Sequence, residues 1–405
     1  MMMKKKLAAL LLAAASAMVF TGCGSSDNQS KGSVDKKVQI EYWHVASESF
    51  GGATVKELVA DFNAKHPNIQ VVGTATNGRE AIEQAQALKP DVITMDYEMP
   101  MMDGITAVKN IMQRCPTPVL MFSSLTHEGA RVTLDALDAG AVDFLPKPRM
   151  DSAASIEACR VEICEKVRAA YSARPRVPVK PAIAPKPLLH EPFEAPRGNP
   201  GGFSERVLQE KLVLIGASTG GTEAIKEVLC SMPAKMPAIL MVQHMPEMFT
   251  ASFARRLDGL CQLRVKEAEH GEKVQPGTAY LAPGHSHLSV RRVVGGYVCE
   301  LAQSEPVNRH RPAVDVLFNS AVSQVGANAL GVILTGMGKD GAQGLLALRK
   351  AGAWTIGQDQ DSCVVYGMPR EAATIGALEE VAPLKEIGQR VLARLGGSER
   401  RGLRA

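Results

Sequence analysis

Ser218 lies in Gly216-Ala217-Ser218-Thr219-Gly220-Gly221, a G-x-S-x-G run between a strand-like stretch at 211–215 and a helix-like stretch at 222–229. Small residues around a serine permit a sharp turn that lifts its hydroxyl above a sheet and lets a substrate approach the backbone. The helix start beyond it offers unpaired N–H groups to a developing oxyanion. A lone serine is a weak nucleophile, so a base and an orienting acid must be found. His244 closes the expected strand Leu240-Met241-Val242-Gln243. Asp340 sits in Thr335-Gly336-Met337-Gly338-Lys339-Asp340-Gly341, between the strand-like run 330–335 and a helix-like run at 341–350. All three residues follow expected strands, which places them on one edge of one sheet, where α/β sites gather. The chemistry is then acyl transfer: Ser218 attacks, His244 takes its proton, and Asp340 fixes the imidazole tautomer.

Each residue also has a structural reading. G-x-S-x-G recurs by chance in a chain with 36 glycines, a strand-end histidine is commonly structural, and a glycine-flanked aspartate commonly caps a helix. An α/β-hydrolase would need the order serine, acid, histidine. Asp258 and His285 would supply it, but His285-Ser286-His287 follows Ala282-Pro283-Gly284 in what reads as a turn. That His-x-His pair also suggests metal, yet no carboxylate or cysteine at suitable spacing completes a site. Convergence of Ser218, His244 and Asp340 on one sheet edge favours catalysis.

The elements that must position them are α/β throughout. Strand patterns at 38–43, 68–72, 91–95 and 119–122 alternate with helix patterns at 54–65 and 79–88, which predicts a parallel sheet covered on both faces. A proline-rich stretch at 173–201 interrupts the pattern as a semi-rigid linker. A second alternating region then runs to about residue 395, and the polar tail 398–405 reads as frayed. A length of 405 residues suits two or three domains. The formal charge of +4, with no basic run interleaved with aromatics, gives no case for nucleic acid. Eight cysteines without a C-x-x-C pair indicate neither a zinc site nor a disulfide framework. The N-terminus points elsewhere: basic residues 1–6, an apolar run 7–20 and Thr21-Gly22-Cys23 read as an export signal with a lipoprotein-like end.

Three blocks together resemble the chemotaxis protein-glutamate methylesterase family: Ile215-Gly216-Ala217-Ser218-Thr219-Gly220-Gly221-Thr222, Val242-Gln243-His244-Met245-Pro246 and Thr335-Gly336-Met337-Gly338-Lys339-Asp340-Gly341. Ala279-Tyr280-Leu281-Ala282-Pro283-Gly284 and Arg311-Pro312-Ala313-Val314-Asp315 are similar to it too. The resemblance implies that Ser218, His244 and Asp340 form a triad, that the Met337 backbone N–H contributes to an oxyanion hole, and that Thr219 lines the site. It implies hydrolysis of glutamate methyl esters and deamidation of glutamines on methyl-accepting chemotaxis receptors, with no cofactor for the esterase and in the cytoplasm, in conflict with the export-like start.

That family carries an N-terminal phosphoacceptor domain, and residues 71–148 resemble a receiver. Met95-Asp96-Tyr97-Glu98-Met99-Pro100 is similar to its phosphoacceptor block, Phe122-Ser123-Ser124 to its hydroxyl switch and Lys147-Pro148 to its lysine. The resemblance implies phosphorylation of Asp96 by a chemotaxis histidine kinase, with Ser123 donating to the phosphoryl group and Lys147 pairing its charge. Mg²⁺ would bind beside Asp96, but a receiver holds it with an acidic pair, and counting back from Val71 puts that pair at Phe50 and Gly51. The missing pair argues against the metal, leaving Asp96 as the one candidate ligand.

Residues 1–70 instead resemble the opening of an extracellular solute-binding lipoprotein, through Val38-Gln39-Ile40-Glu41-Tyr42-Trp43-His44 and Phe62-Asn63-Ala64-Lys65-His66-Pro67-Asn68-Ile69. Both families begin strand–helix–strand, so the fused piece is expected to complete the sheet. The expected fold is therefore a receiver-like, flavodoxin-like parallel α/β domain, a Pro-rich linker and a second doubly wound α/β esterase domain. The expected boundaries are a signal-like segment at 1–23, a solute-binding-like segment at 24–70, an incomplete receiver at 71–150, a helix remnant and linker at 151–205 and the catalytic domain at 206–397. Two other functions are weighed: an exported solute-binding lipoprotein fragment fused to an esterase, supported by residues 1–70 alone, and a catalytically silent signalling adaptor, which an intact Ser218, His244 and Asp340 oppose.

Overall fold

The computed structural model describes residues 38–42, 59–64, 69–123, 126–147, 153–175 and 202–402. The signal-like segment, Phe50 and Gly51, and most of the proline-rich linker lie outside them. The chain divides into two compact units, residues 1–178 and 179–405.

The first unit contains a five-stranded parallel sheet: β1 (Val38–Tyr42), β2 (Ile69–Gly73), β3 (Val92–Asp96), β4 (Val119–Ser123) and β5 (Asp143–Pro146), in the order β2-β1-β3-β4-β5. The chain starts in the interior, steps out to β2 and returns to β3, so strand direction of travel reverses beside β1 and β3. Crevices form at the carboxyl ends of strands at such a point. The expectation that the fused N-terminal piece completes the sheet holds, since β1 pairs in parallel with both β2 and β3. Helices α1 (Gly78–Leu88), α2 (Gly104–Arg114), α3 (His127–Asp138) and α4 (Ala153–Ser172) follow the strands. The first three are started by side-chain caps from Asn77, Asp103 and Thr126, which satisfy first-turn N–H groups. Val92, Ile93 and Met95 on β3 and Leu120 and Met121 on β4 are almost wholly buried, as strands covered on both faces require.

The second unit opens with α5 (Glu205–Glu210), β6 (Leu212–Ala217), α6 (Gly221–Cys230), β7 (Ala238–Gln243), α7 (Glu247–Asp258), β8 (Arg264–Glu267) and β9 (Thr278–Leu281). An antiparallel hairpin follows, β10 (His287–Val293) with β11 (Gly296–Ala302). The chain then forms α8 (Val314–Gln324), β12 (Ala329–Ile333), α9 (Ala342–Lys350), β13 (Trp354–Gln358), α10 (Met368–Thr374), β14 (Glu380–Ala382) and α11 (Leu384–Gly402). Seven parallel strands run in the order β14-β13-β12-β6-β7-β9-β8. The connections move one way from β6 and then back across it to β12, so the switch point lies between β6 and β12. Every residue of β6, β7 and β12 is buried. The hairpin escapes a parallel-sheet reading because His287-Leu288-Ser289-Val290-Arg291 alternates with one polar face. The tail also differs from expectation: α11 continues through 398–402, where Glu399, Arg400 and Arg401 have good helix propensity. No helix among the described residues is long and apolar enough to cross a membrane.

Candidate active site

Register places the nucleophile candidate against the base candidate. Ala217 at the end of β6 pairs with Gln243 at the end of β7, and the His244 N–H donates to the Ala217 carbonyl at 3.2 Å. Ser218 and His244 are therefore the next residues beyond adjacent strand ends. The Ser218 N–H donates to the Thr335 carbonyl at 3.0 Å, which ties the serine to the loop after β12. Its own carbonyl accepts from Gly221 N at 2.7 Å and from Gln243 Nε2 at 2.9 Å. Gly220 takes φ 76°, a left-handed conformation, just before α6 starts. Ser218 is 7% exposed, so the bend leaves it a small accessible edge.

His244 Nε2 lies 2.8 Å from Asp340 Oδ2, with both side chains buried. The other oxygen and the remaining lone pairs of Asp340 are filled by Val314 N at 2.6 Å, Asp315 N at 3.2 Å and Asn308 Nδ2 at 2.8 Å. Burial alone would raise this carboxyl. The donors from His244, Asn308 and Val314 outweigh it and hold the group down at about 2. An ionised acceptor at Nε2 selects the tautomer with hydrogen there and leaves the Nδ1 lone pair free. Nδ1 is buried and has no hydrogen-bond partner.

The oxyanion candidates sit on the same rim. Gly336 packs so closely on the nucleophile that a Cβ there would come within 2.8 Å of Ser218 Cβ, and Met337 follows directly. Thr219 is buried, and its carbonyl accepts from the Thr335 hydroxyl at 3.0 Å, which in turn accepts from Val365 N at 2.9 Å.

Four contributors were not singled out from sequence. Gln243 anchors the Ser218 carbonyl, as above. Asp315 lies beside Asp340; burial raises its carboxyl, and the neighbouring Asp340 adds to that, against donation from Gly344 N and Asn308. Asn308 bridges the two acids, reaching Asp315 Oδ2 and Asp340 Oδ1 at 2.8 Å each. His310 stacks on His244 with ring centroids 3.7 Å apart and planes 15° apart. Gln243 and Asp315 stand in the Val242–Pro246 and Arg311–Asp315 blocks, which is their one signal in the sequence; nothing local marks Asn308 or His310.

The competing candidates have structural work. Asp258 accepts from Val265 N at 2.7 Å. His285 Nδ1 meets Ser286 Oγ at 2.6 Å. His287 belongs to the start of β10 rather than to a turn, is 1% exposed, accepts from Ala313 N at Nδ1 and meets the Glu305 carbonyl at Nε2. Among the described residues no group of three or more His, Cys, Asp or Glu is arranged to hold a metal ion.

In the first unit, Asp96 ends β3 and Ser123 ends β4, with Phe122 paired to Asp96. Lys147 follows β5, and its ammonium lies 2.6 Å from Asp96 Oδ2. The Ser123 hydroxyl is turned to α3: it accepts from Thr133 Oγ1 at 2.6 Å and donates to the Gly129 carbonyl at 3.2 Å. Mg²⁺ fits the described donor set poorly: it wants hard oxygen ligands, and the Asp96 carboxylate is already paired with Lys147. In the sequence, Trp43-His44-Val45 follows β1, with no acidic pair.

The family model for CheB methylesterase matches residues 213–391, and that for the response regulator receiver domain matches residues 54–157, beginning within the segment 24–70. A protein-glutamate methylesterase/protein-glutamine glutaminase from Nitrosomonas europaea is 50% identical over 352 residues, covering 87% of this chain and 96% of that protein. One from Dechloromonas aromatica is 52% identical over 341 residues, covering 84% and 95%. The crystal structure of the Thermotoga maritima CheB methylesterase catalytic domain is 41% identical and covers 45% of this chain and 97% of that one, with a TM-score of 0.44.

Proposed function

Because this chain belongs to the protein-glutamate methylesterase/protein-glutamine glutaminase family, we propose that its second unit hydrolyses glutamate methyl esters and deamidates glutamines through Ser218, His244 and Asp340. The observation that carries the residue assignment is the buried His244–Asp340 pair, made through Nε2, with Nδ1 left open beside the strand end that bears Ser218. Ser218 Oγ adds to the substrate's side-chain carbonyl while Nδ1 takes its proton. Asp340 stays ionised and stabilises the imidazolium. The oxyanion faces backbone N–H groups, of which Met337 is the candidate donor beside Thr219. Collapse passes the proton to the leaving group, methanol from an ester or ammonia from an amide, and leaves a glutamyl ester on Ser218. Water, deprotonated by His244, hydrolyses that ester to glutamate. One site thus serves both substrates, and no cofactor enters either half.

The substrates in this reading are methyl-accepting chemotaxis receptors in the cytoplasm, and the phosphodonor to Asp96 is the chemotaxis histidine kinase. Limits of 71–150 for a receiver that lacks its own start, with residues 24–70 in its place, and of 206–397 for the catalytic domain are part of the same proposal. The test is hydrolysis of methylated receptor membranes by wild type and Ser218→Ala, with a fluorophosphonate probe reporting the nucleophile. Loss of both turnover and labelling supports the assignment; a fully active Ser218→Ala variant ends it.

A further inference from the structure

Asp340 fixes one end of the His244 ring, at Nε2. A single hydrogen bond at that atom still allows the imidazole plane to rock, and rocking swings Nδ1 off any line toward Ser218. A second restraint must act on the face of the ring. His310 supplies a face, stacked at 3.7 Å and nearly parallel.

The segment that carries His310 is built tightly. Val307 and His310 exchange backbone hydrogen bonds, at 3.0 and 2.9 Å, around a two-residue turn. Asn308 and Arg309 between them have φ 52° and 67°, so both central residues are left-handed, the type I′ pattern. Asparagine tolerates that conformation; arginine does so at a cost. Val307, Asn308 and Arg309 are exposed and His310 is half-buried, so core packing gives no reason for the strain at the two central residues. What the turn does place is two side chains: the Asn308 amide on Asp340 Oδ1 and the His310 ring on His244. Strain held at an exposed turn that touches a site points to a role in that site.

We propose that His310 is a positioning residue for the catalytic base, its ring holding the plane of the His244 imidazole while Asn308 on the same turn holds the carboxylate that orients it. The inference rests on the reading that Ser218 and His244 perform the chemistry. Stacking needs a flat ring and not a ring nitrogen, so His310→Phe should retain the function and His310→Ala should lose it.

The experiment measures steady-state hydrolysis of a γ-methyl-glutamyl peptide by the full chain, together with the rate of Ser218 inactivation by a fluorophosphonate, which needs no receptor binding. Active-site titration normalises each variant to its folded fraction. His310→Ala is expected to lower kcat by up to about 100-fold, the scale of a misplaced reacting group, with KM unchanged and inactivation slowed in parallel. His310→Phe should restore most of both rates. Wild-type rates in His310→Ala overturn the proposal, as does a His310→Phe variant as slow as His310→Ala. Ser218→Ala is run alongside: if it keeps its turnover, the underlying assignment fails, whatever His310 does.

Discussion

Gln243 donates its side-chain amide to the carbonyl oxygen of Ser218 across 2.9 Å. The residue before the base thereby holds the backbone of the nucleophile. A Cβ at Gly221 would lie 2.1 Å from Gln243 Oε1, so the amide is also confined from the α6 side. Gln243→Met keeps the volume and removes the donor. It should cost about 1 kcal/mol of stability, because Gly221 N still reaches the same carbonyl, and kcat should fall more than KM rises. Urea titration and steady-state kinetics check both parts; an unchanged kcat would contradict the tie between Gln243 and Ser218.

Asp340→Asn addresses the orienting acid. Val314 N, Asp315 N and Asn308 Nδ2 would then share a single side-chain carbonyl, and the amide would set a donor against one of them or against His244. The Nε2–H tautomer loses its anionic partner. By analogy with other serine hydrolases kcat should drop roughly 10³- to 10⁴-fold, with substrate binding nearly intact. A loss confined to KM would show that Asp340 orients substrate instead of histidine.

The same carboxylate sets an acid dependence. Its value in the folded chain is about 2, below the ordinary 3.8, so folding favours the ionised form. The associated stability is fully present above 3.8 and is lost as pH falls through about 2. Denaturant unfolding of wild type and Asp340→Asn between pH 6 and pH 2 should show a stability gap that narrows as the acid limit is approached. A gap independent of pH would mean that ionisation of Asp340 does not couple to folding.

In the first unit, Lys147 neutralises Asp96 directly and no acidic pair follows β1 in the sequence. Acetyl phosphate should label the chain weakly, and Mg²⁺ should change the yield little. Intact-mass measurement with and without Mg²⁺ decides it. Strong Mg²⁺-dependent labelling, abolished by Asp96→Asn, would show that other groups supply the metal ligands.

Much of this site could be read before any coordinates. Ser218, His244 and Asp340 each follow a continuous apolar run, and buried parallel strands advertise themselves that way, so their common edge was predictable. His287 was misread as a turn residue because β10 alternates polar with apolar positions and joins no parallel sheet. A fixed spacing back from Val71 points to Phe50 and Gly51, whereas β1 is drawn from Val38–Tyr42, further upstream, because a strand can be taken from any suitable run if the connection is long enough. Asn308 and His310 had no local signature. Their roles come from a turn folding over residues far along the chain, and sequence spacing does not encode such meetings.

The free nitrogen of His244 is Nδ1, bonded directly to the ring carbon nearest the backbone. In the opposite arrangement the proton acceptor would sit at the far corner of the ring, on a longer lever. Rotation about the Cα–Cβ bond moves the near corner through a smaller arc, while rotation about Cβ–Cγ moves it through a larger one. The reach of the base is thus set by the β7 strand end, and its tilt by the groups that hold the ring. An engineer who wished to relocate this reactivity would have to carry the strand end and the ring's two neighbours, Asp340 and His310, with it.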